Sequence, residues 1–128
     1  QATHGLMQGF DDVFRRGRGV AINIDHHRNA PYENLFTDID LGDPRRVWTS
    51  GGRGDRGPHS GARETFWNLR ASTSNFPKLP DWPQMNLVGV TGYAKSTTAD
   101  KQWIEPAPEG IQPADLYDAQ LDNRLKKP

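Results

Sequence analysis

The chain has 128 residues, room for one domain, and its 16 Lys+Arg balance its 16 Asp+Glu. Zero formal net charge argues against a dedicated nucleic-acid binder, which carries a basic excess. The lack of cysteine excludes disulfide and thiol chemistry, and no apolar run reaches the roughly 18 residues of a membrane-spanning helix.

Apolar residues make up 34% of the chain and the mean hydropathy is −0.84. Leu, Ile, Val and Phe supply only roughly a fifth of the residues, near the level at which compositions turn disordered. Disorder of that kind also needs high net charge and few aromatics. Here the charge is zero and there are four Trp, five Phe and three Tyr. The composition therefore predicts a folded chain with a thin core, and 13 Gly and 10 Pro predict frequent turns.

In chain order, residues 9–14 (GFDDVF) lead into a basic, glycine-punctuated turn at 15–19 (RRGRG). Residues 20–24 alternate, with Val20, Ile22 and Ile24 on one face, and predict a half-buried strand. Residues 32–41 (YENLFTDIDL) predict a second strand, with Leu35, Thr37, Ile39 and Leu41 on one face and Asn34, Phe36, Asp38 and Asp40 on the other. Val47, Trp48 and Thr49 predict a third, very short strand. Residues 50–61 (SGGRGDRGPHSG) hold glycine and charge without a large apolar side chain, and predict an exposed loop. Residues 63–72 (RETFWNLRAS) predict a fourth strand, with Trp67, Leu69 and Ala71 inward. A rigid, proline-rich loop spans 75–84, and residues 85–91 (MNLVGVT) predict a fifth strand. Residues 103–112 read as irregular. Pro113 suits a first helical turn, and Leu116, Tyr117, Gln120, Leu121 and Leu125 recur at helical spacing, so 114–125 is expected to be an amphipathic helix.

Asn-Leu pairs stand in three of these strands: Asn34-Leu35, Asn68-Leu69 and Asn86-Leu87. They suggest one strand per coil of a solenoid, with the glycine-rich loop as an insertion on one face. A β-sandwich is the alternative that the same short strands allow.

With these strands and the closing segment at 113–121 (PADLYDAQL), the chain resembles the C-terminal end of pectate-lyase-like right-handed β-helix proteins. The resemblance covers the chain from about Gly19 on. It implies an all-β chain with a C-terminal helix: a right-handed parallel β-helix fragment over 1–112, with the Gly-rich loop at 50–62, and a capping helix and tail over 113–128. It further implies a secreted or periplasmic, carbohydrate-active bacterial protein, either a lyase or a glycoside hydrolase acting on an acidic polysaccharide; the alternative is a non-catalytic module that binds carbohydrate or caps and dimerises a larger β-helix. Gln1 opens the chain in ordinary fold sequence, and nothing in the sequence covers the stack near residues 5–14. Upstream coils of the same polypeptide, or a partner chain, are expected there.

No family catalytic motif maps onto the chain residue by residue, so candidates come from the residues themselves. Asp25-His26-His27-Arg28 is the densest cluster. On extended backbone His26 and His27 point to opposite faces, so they cannot share a metal without a turn between them. One histidine as general base beside Arg28, neutralising a uronate carboxylate, is the pairing a β-eliminating lyase needs. The alternative is a plain turn with half-exposed histidines. His59 sits in the glycine-rich loop with Arg53 and Arg56, which could contact an anionic substrate, unless the loop is simply a solvated insertion. Trp82 is the best sugar-stacking candidate of the four tryptophans, and Asp25 joins the substrate-binding set. The basic Arg15, Arg16 and Arg18 read as salt-bridge or interface residues. Asp38 and Asp40, two apart on one strand face, would suit glycoside hydrolysis or calcium, but an outward polar face accounts for them as well. No metal ligand set or other cofactor is expected; calcium is the one ion the carboxylates suit.

Overall fold

Aromatic and branched residues between turn residues fold as strands because they pack well on a pleated, half-buried surface. The strands are β1 (Ala2–Met7), β2 (Val13–Arg15), β3 (Ala21–His26), β4 (Leu35–Gly42), β5 (Thr65–Ala71), β6 (Asn86–Val88) and β7 (Trp103–Glu105). Among the described residues one helix, α1 (Leu116–Leu125), follows them. The computed structural model describes residues 2–7, 12–26, 32–47, 62–72, 84–90, 102–107 and 110–126, with the backbone alone for β1, Asp25 and His26.

The chain is thus all-β with a C-terminal helix, and its pairing is mostly parallel. β4 pairs with β5, β5 with β6 and β6 with β7, all parallel, and β2 pairs in parallel with β4 as well. β1 lies parallel to β3 over six residues, and the one antiparallel pair among the described strands is Ala21 with Gly42. Parallel neighbours need crossovers that leave the sheet and return. Among the described residues none of these contains a helix, since α1 comes after the last strand.

The register aligns rows of side chains across the strands. Phe14, Phe36, Phe66, Leu87 and Ile104 form the inward row. Its rings stack face to face, Phe14 on Phe36 at 5.1 Å and Phe36 on Phe66 at 5.0 Å, nearly parallel. Phe36, Phe66 and Leu87 are fully buried, and each contributes roughly 1.5–3 kcal/mol of burial free energy. Stacking adds about 0.5–1.5 kcal/mol per ring pair. Arg15, Thr37, Trp67, Val88 and Glu105 form the neighbouring, outward row.

Four strands of this stack, β2, β4, β5 and β6, bend at the same place. Arg16, Asp38, Asn68 and Gly89 follow the outward row in register, and all four have positive φ, between 55° and 69°. Glu33, Arg63 and Gln84 form a second such row, before the strands, at 55–60°. The left-handed conformation costs an ordinary residue roughly 1–2 kcal/mol, so it persists only where its surroundings fix it. Side chains of the next strand brace these corners: Arg63, itself a corner, bonds Glu33, and Arg70, two residues past the Asn68 corner, bonds Asp38 at 2.9 Å.

These bends correct the expected strand faces. Strict alternation puts Leu35, Thr37, Ile39 and Leu41 on one side. The left-handed turn at Asp38 shifts the phase instead, so Phe36 is inward before it, and Ile39 and Leu41 after it. Asn68 does the same in β5, making Phe66 the core residue there and leaving Trp67 half-buried on the outside. The Asn-Leu pairs do not stack on each other: Leu35 faces Thr65, and Thr65 faces Asn86. Val47 is fully buried but lies outside any strand, and Trp48 and Thr49 fall outside the described residues. β7 replaces the irregular start expected at Trp103.

Gly42 closes β4 at φ 69°, where a Cβ would come within 2.1 Å of the Val20 carbonyl oxygen. Gly42→Ala is therefore expected to destabilise the fold by about 2 kcal/mol or more, through strain and backbone displacement together. Thermal unfolding checks this; a melting temperature unchanged within a degree would contradict the tight packing of that corner.

Candidate functional site

After β7 the chain turns back across the stack. Ile111 packs over the corner of β6, where a Cβ on Gly89 would lie 3.0 Å from it. The indole Nε1 of Trp67 then donates to the Pro113 carbonyl at 2.7 Å, and Asn68 Nδ2 donates to the Ala114 carbonyl at 3.0 Å. Next, the Leu116 amide donates to Thr37 Oγ1 at 2.8 Å. The tail thus passes β6, β5 and β4 in reverse order, and Thr37 is completely buried although it belongs to the outward row.

The tail is anchored by charge. Asp115, 5% exposed, caps α1 by accepting from the Tyr117 amide at 3.1 Å and receives Arg15 Nη2 at 2.6 Å and Arg16 Nε at 3.1 Å. Arg15 and Arg16 also pair with Asp118. The Arg15 guanidinium lies over the Tyr117 ring, 4.9 Å from its centre. Asp115 satisfies amides that the first helical turn leaves without partners, so α1 starts at Leu116 and Pro113 lies before the cap. Rather than closing the end of the stack beyond β7, α1 lies beside β2 and β4. No residue of α1 is buried, and Leu125 is 73% exposed. Polar contacts, more than apolar burial, hold it in place.

A second polar group is sealed inside. Glu64 is completely buried. Asn34 links the strands there, accepting from the Asp12 amide at 2.9 Å and donating to Glu64 Oε1 at 2.8 Å. Glu64 Oε2 has no partner among the described residues. Burial pushes the Glu64 carboxyl up to about 8, against the opposing effect of the Asn34 bonds. A raised carboxyl is the usual mark of a general acid, but this one meets no solvent and hence no substrate. Its role is in the core.

Of the residues expected to do chemistry, Asp25 and His26 end β3, beside Leu6 and Met7 of β1, and their side chains are not described. His27, Arg28, Arg53, Arg56, His59 and Trp82 lie outside the described residues. Asp38 is tied to Arg70, Glu33 to Arg63, and Asp40 is exposed. Among the described residues no three His, Asp or Glu side chains gather as metal ligands, and no helix is long and apolar enough to cross a membrane. Sequence reading gave Arg15 and Arg16 an ion-pair role without their partners, a hundred residues away. It missed Glu64 altogether, since a charged residue next to a strand normally reads as exposed.

No family model, no curated protein and no solved structure matches this chain.

Proposed function

We propose that this chain is a stretch of right-handed parallel β-helix from an extracellular protein that acts on acidic polysaccharides, and that its described coils form a non-catalytic, glycan-directed module. One observation carries the solenoid reading: four left-handed corners in register, beside a continuous inward row of stacked side chains. A β-sandwich would pair its strands antiparallel, and nearly all the pairing among the described strands is parallel. The non-catalytic reading is supported by the tail, which occupies the outward face where an extended polymer would lie against successive coils.

A lyase or hydrolase is the second reading. It is favoured by the position of Asp25 and His26 at the end of β3, where they pair in parallel with Leu6 and Met7 of β1 and take no part in the tail's contacts with Thr37, Trp67 and Asn68. A panel of polysaccharides, scored together for binding and for unsaturated-uronate absorbance, separates the two. Binding of an acidic glycan without turnover is the expected result. Turnover that is lost in both His26→Ala and His27→Ala variants, with folding intact, would instead establish the enzyme. Neither binding nor turnover would contradict both.

A further inference from the structure

We propose that the outward face formed by Arg15, Arg16, Thr37 and Trp67 is a binding site for a carboxylate-bearing oligosaccharide, and that the tail from Ile111 to Asp118 occupies it as an internal competitor. The inference rests on the reading of the chain as a glycan-directed module and adds a site that its histidine cluster does not include.

The first ground is the chemistry of the face beneath the tail. Arg15 and Arg16 already hold two carboxylates, those of Asp115 and Asp118. Guanidinium groups favour such planar anions because their donors match the two oxygens. Thr37 follows Arg15 in the same row and Trp67 follows Thr37, one strand spacing each, so the face spans roughly 10 Å along the stack. A hydroxyl and a flat indole beside two cations suit a sugar ring that bears a carboxylate. An acidic peptide would use the arginines but has less use for the indole.

The second ground is how the tail is held. It meets the face through hydrogen bonds from Trp67, Asn68 and to Thr37, and through ion pairs of Arg15 and Arg16. Arg16 and Asp118 are 57% and 39% exposed, so water and salt reach these pairs. With no buried residue in α1, little apolar burial opposes release of the helix. A ligand's carboxylates can replace the tail's at Arg15 and Arg16 in kind, and its hydroxyls can accept from Trp67 and Asn68 and donate to Thr37.

Short oligogalacturonates serve as the probe in calorimetric titrations of the full chain. An Asp115→Asn, Asp118→Asn double variant keeps a capping side chain at 115 but weakens the internal competitor. It is expected to bind at least tenfold more tightly than the wild type. Adding Arg15→Gln and Arg16→Gln should abolish the gain. On the wild type, saturating oligogalacturonate should move the Trp67 indole N–H resonance as its bond to Pro113 breaks. That second readout stands even if the variants fold poorly. Wild-type glycan binding with no tightening in a folded double variant, or an unmoved Trp67 resonance, would overturn this site and leave the module reading intact. Equal binding of poly-glutamate by the double variant would overturn the sugar assignment in favour of an acidic peptide. If no variant binds any acidic glycan, the site and the module reading fall together.

Discussion

Phe36→Ala is expected to cost about 3–5 kcal/mol, a large share of the roughly 5–15 kcal/mol that holds a domain folded. Phe36 is 2% exposed and its ring has Phe14 on one face and Phe66 on the other. Truncation removes both stacking contacts and opens a void in the middle of the inward row. The core of this chain is thin, so few other side chains can collapse into the space. Phe14→Ala should cost much less, since Phe14 is 39% exposed and has one stacked neighbour, Phe36. Urea unfolding of both variants tests the difference. Equal losses at the two positions would mean that the row is not continuous.

The second large effect is alkaline. Below about pH 4.5 the Glu64 carboxyl is protonated in both the folded and the unfolded chain, and stability is at its highest with respect to this group. Between there and about pH 8 the folded state keeps a proton that the unfolded chain has released, so stability falls as pH rises. Above about 8 the loss is complete. At roughly 1.4 kcal/mol per pH unit the window amounts to something on the order of 5 kcal/mol. Glu64→Gln keeps an acceptor for Asn34 and has no charge to bury. The wild type should therefore lose about 15 °C in melting temperature between pH 5 and pH 8.5, and the variant only a small part of that. Parallel melting curves for the two proteins across this range would remove Glu64 as the cause.

What could be read in advance was local. Alternating branched residues marked β3, β4 and β5, and the periodicity of Leu116, Tyr117, Leu121 and Leu125 marked the helix to within two residues of its start. The strand faces were not legible, because Asp38 and Asn68 carry no sequence mark of the left-handed turns that shift the phase. Asn enters that region more easily than most residues, yet only the register with Arg16 and Gly89 shows what it does here. β1 also escaped notice, as did β2 and β7, which at three residues each give too short a window for any period to show; β6, equally short, was read only within the longer run 85–91. The site was dim for a related reason. Arg15, Thr37, Trp67 and Asp115 come from four separate stretches of the chain, and only parallel stacking brings them together. The histidine and glycine-loop residues that drew attention first lie mostly outside the described structure.

The central claim is that successive strands stack in parallel, in the stated register, under a tail that runs back across them. Nuclear Overhauser contacts in the isotope-labelled full chain test it most directly. The account predicts ring-to-ring contacts from Phe36 to both Phe14 and Phe66, a parallel pattern of backbone contacts between β4 and β5, and contacts from the Trp67 indole N–H to Pro113. Strong Hα–Hα contacts between β4 and β5, the mark of antiparallel neighbours, would contradict it.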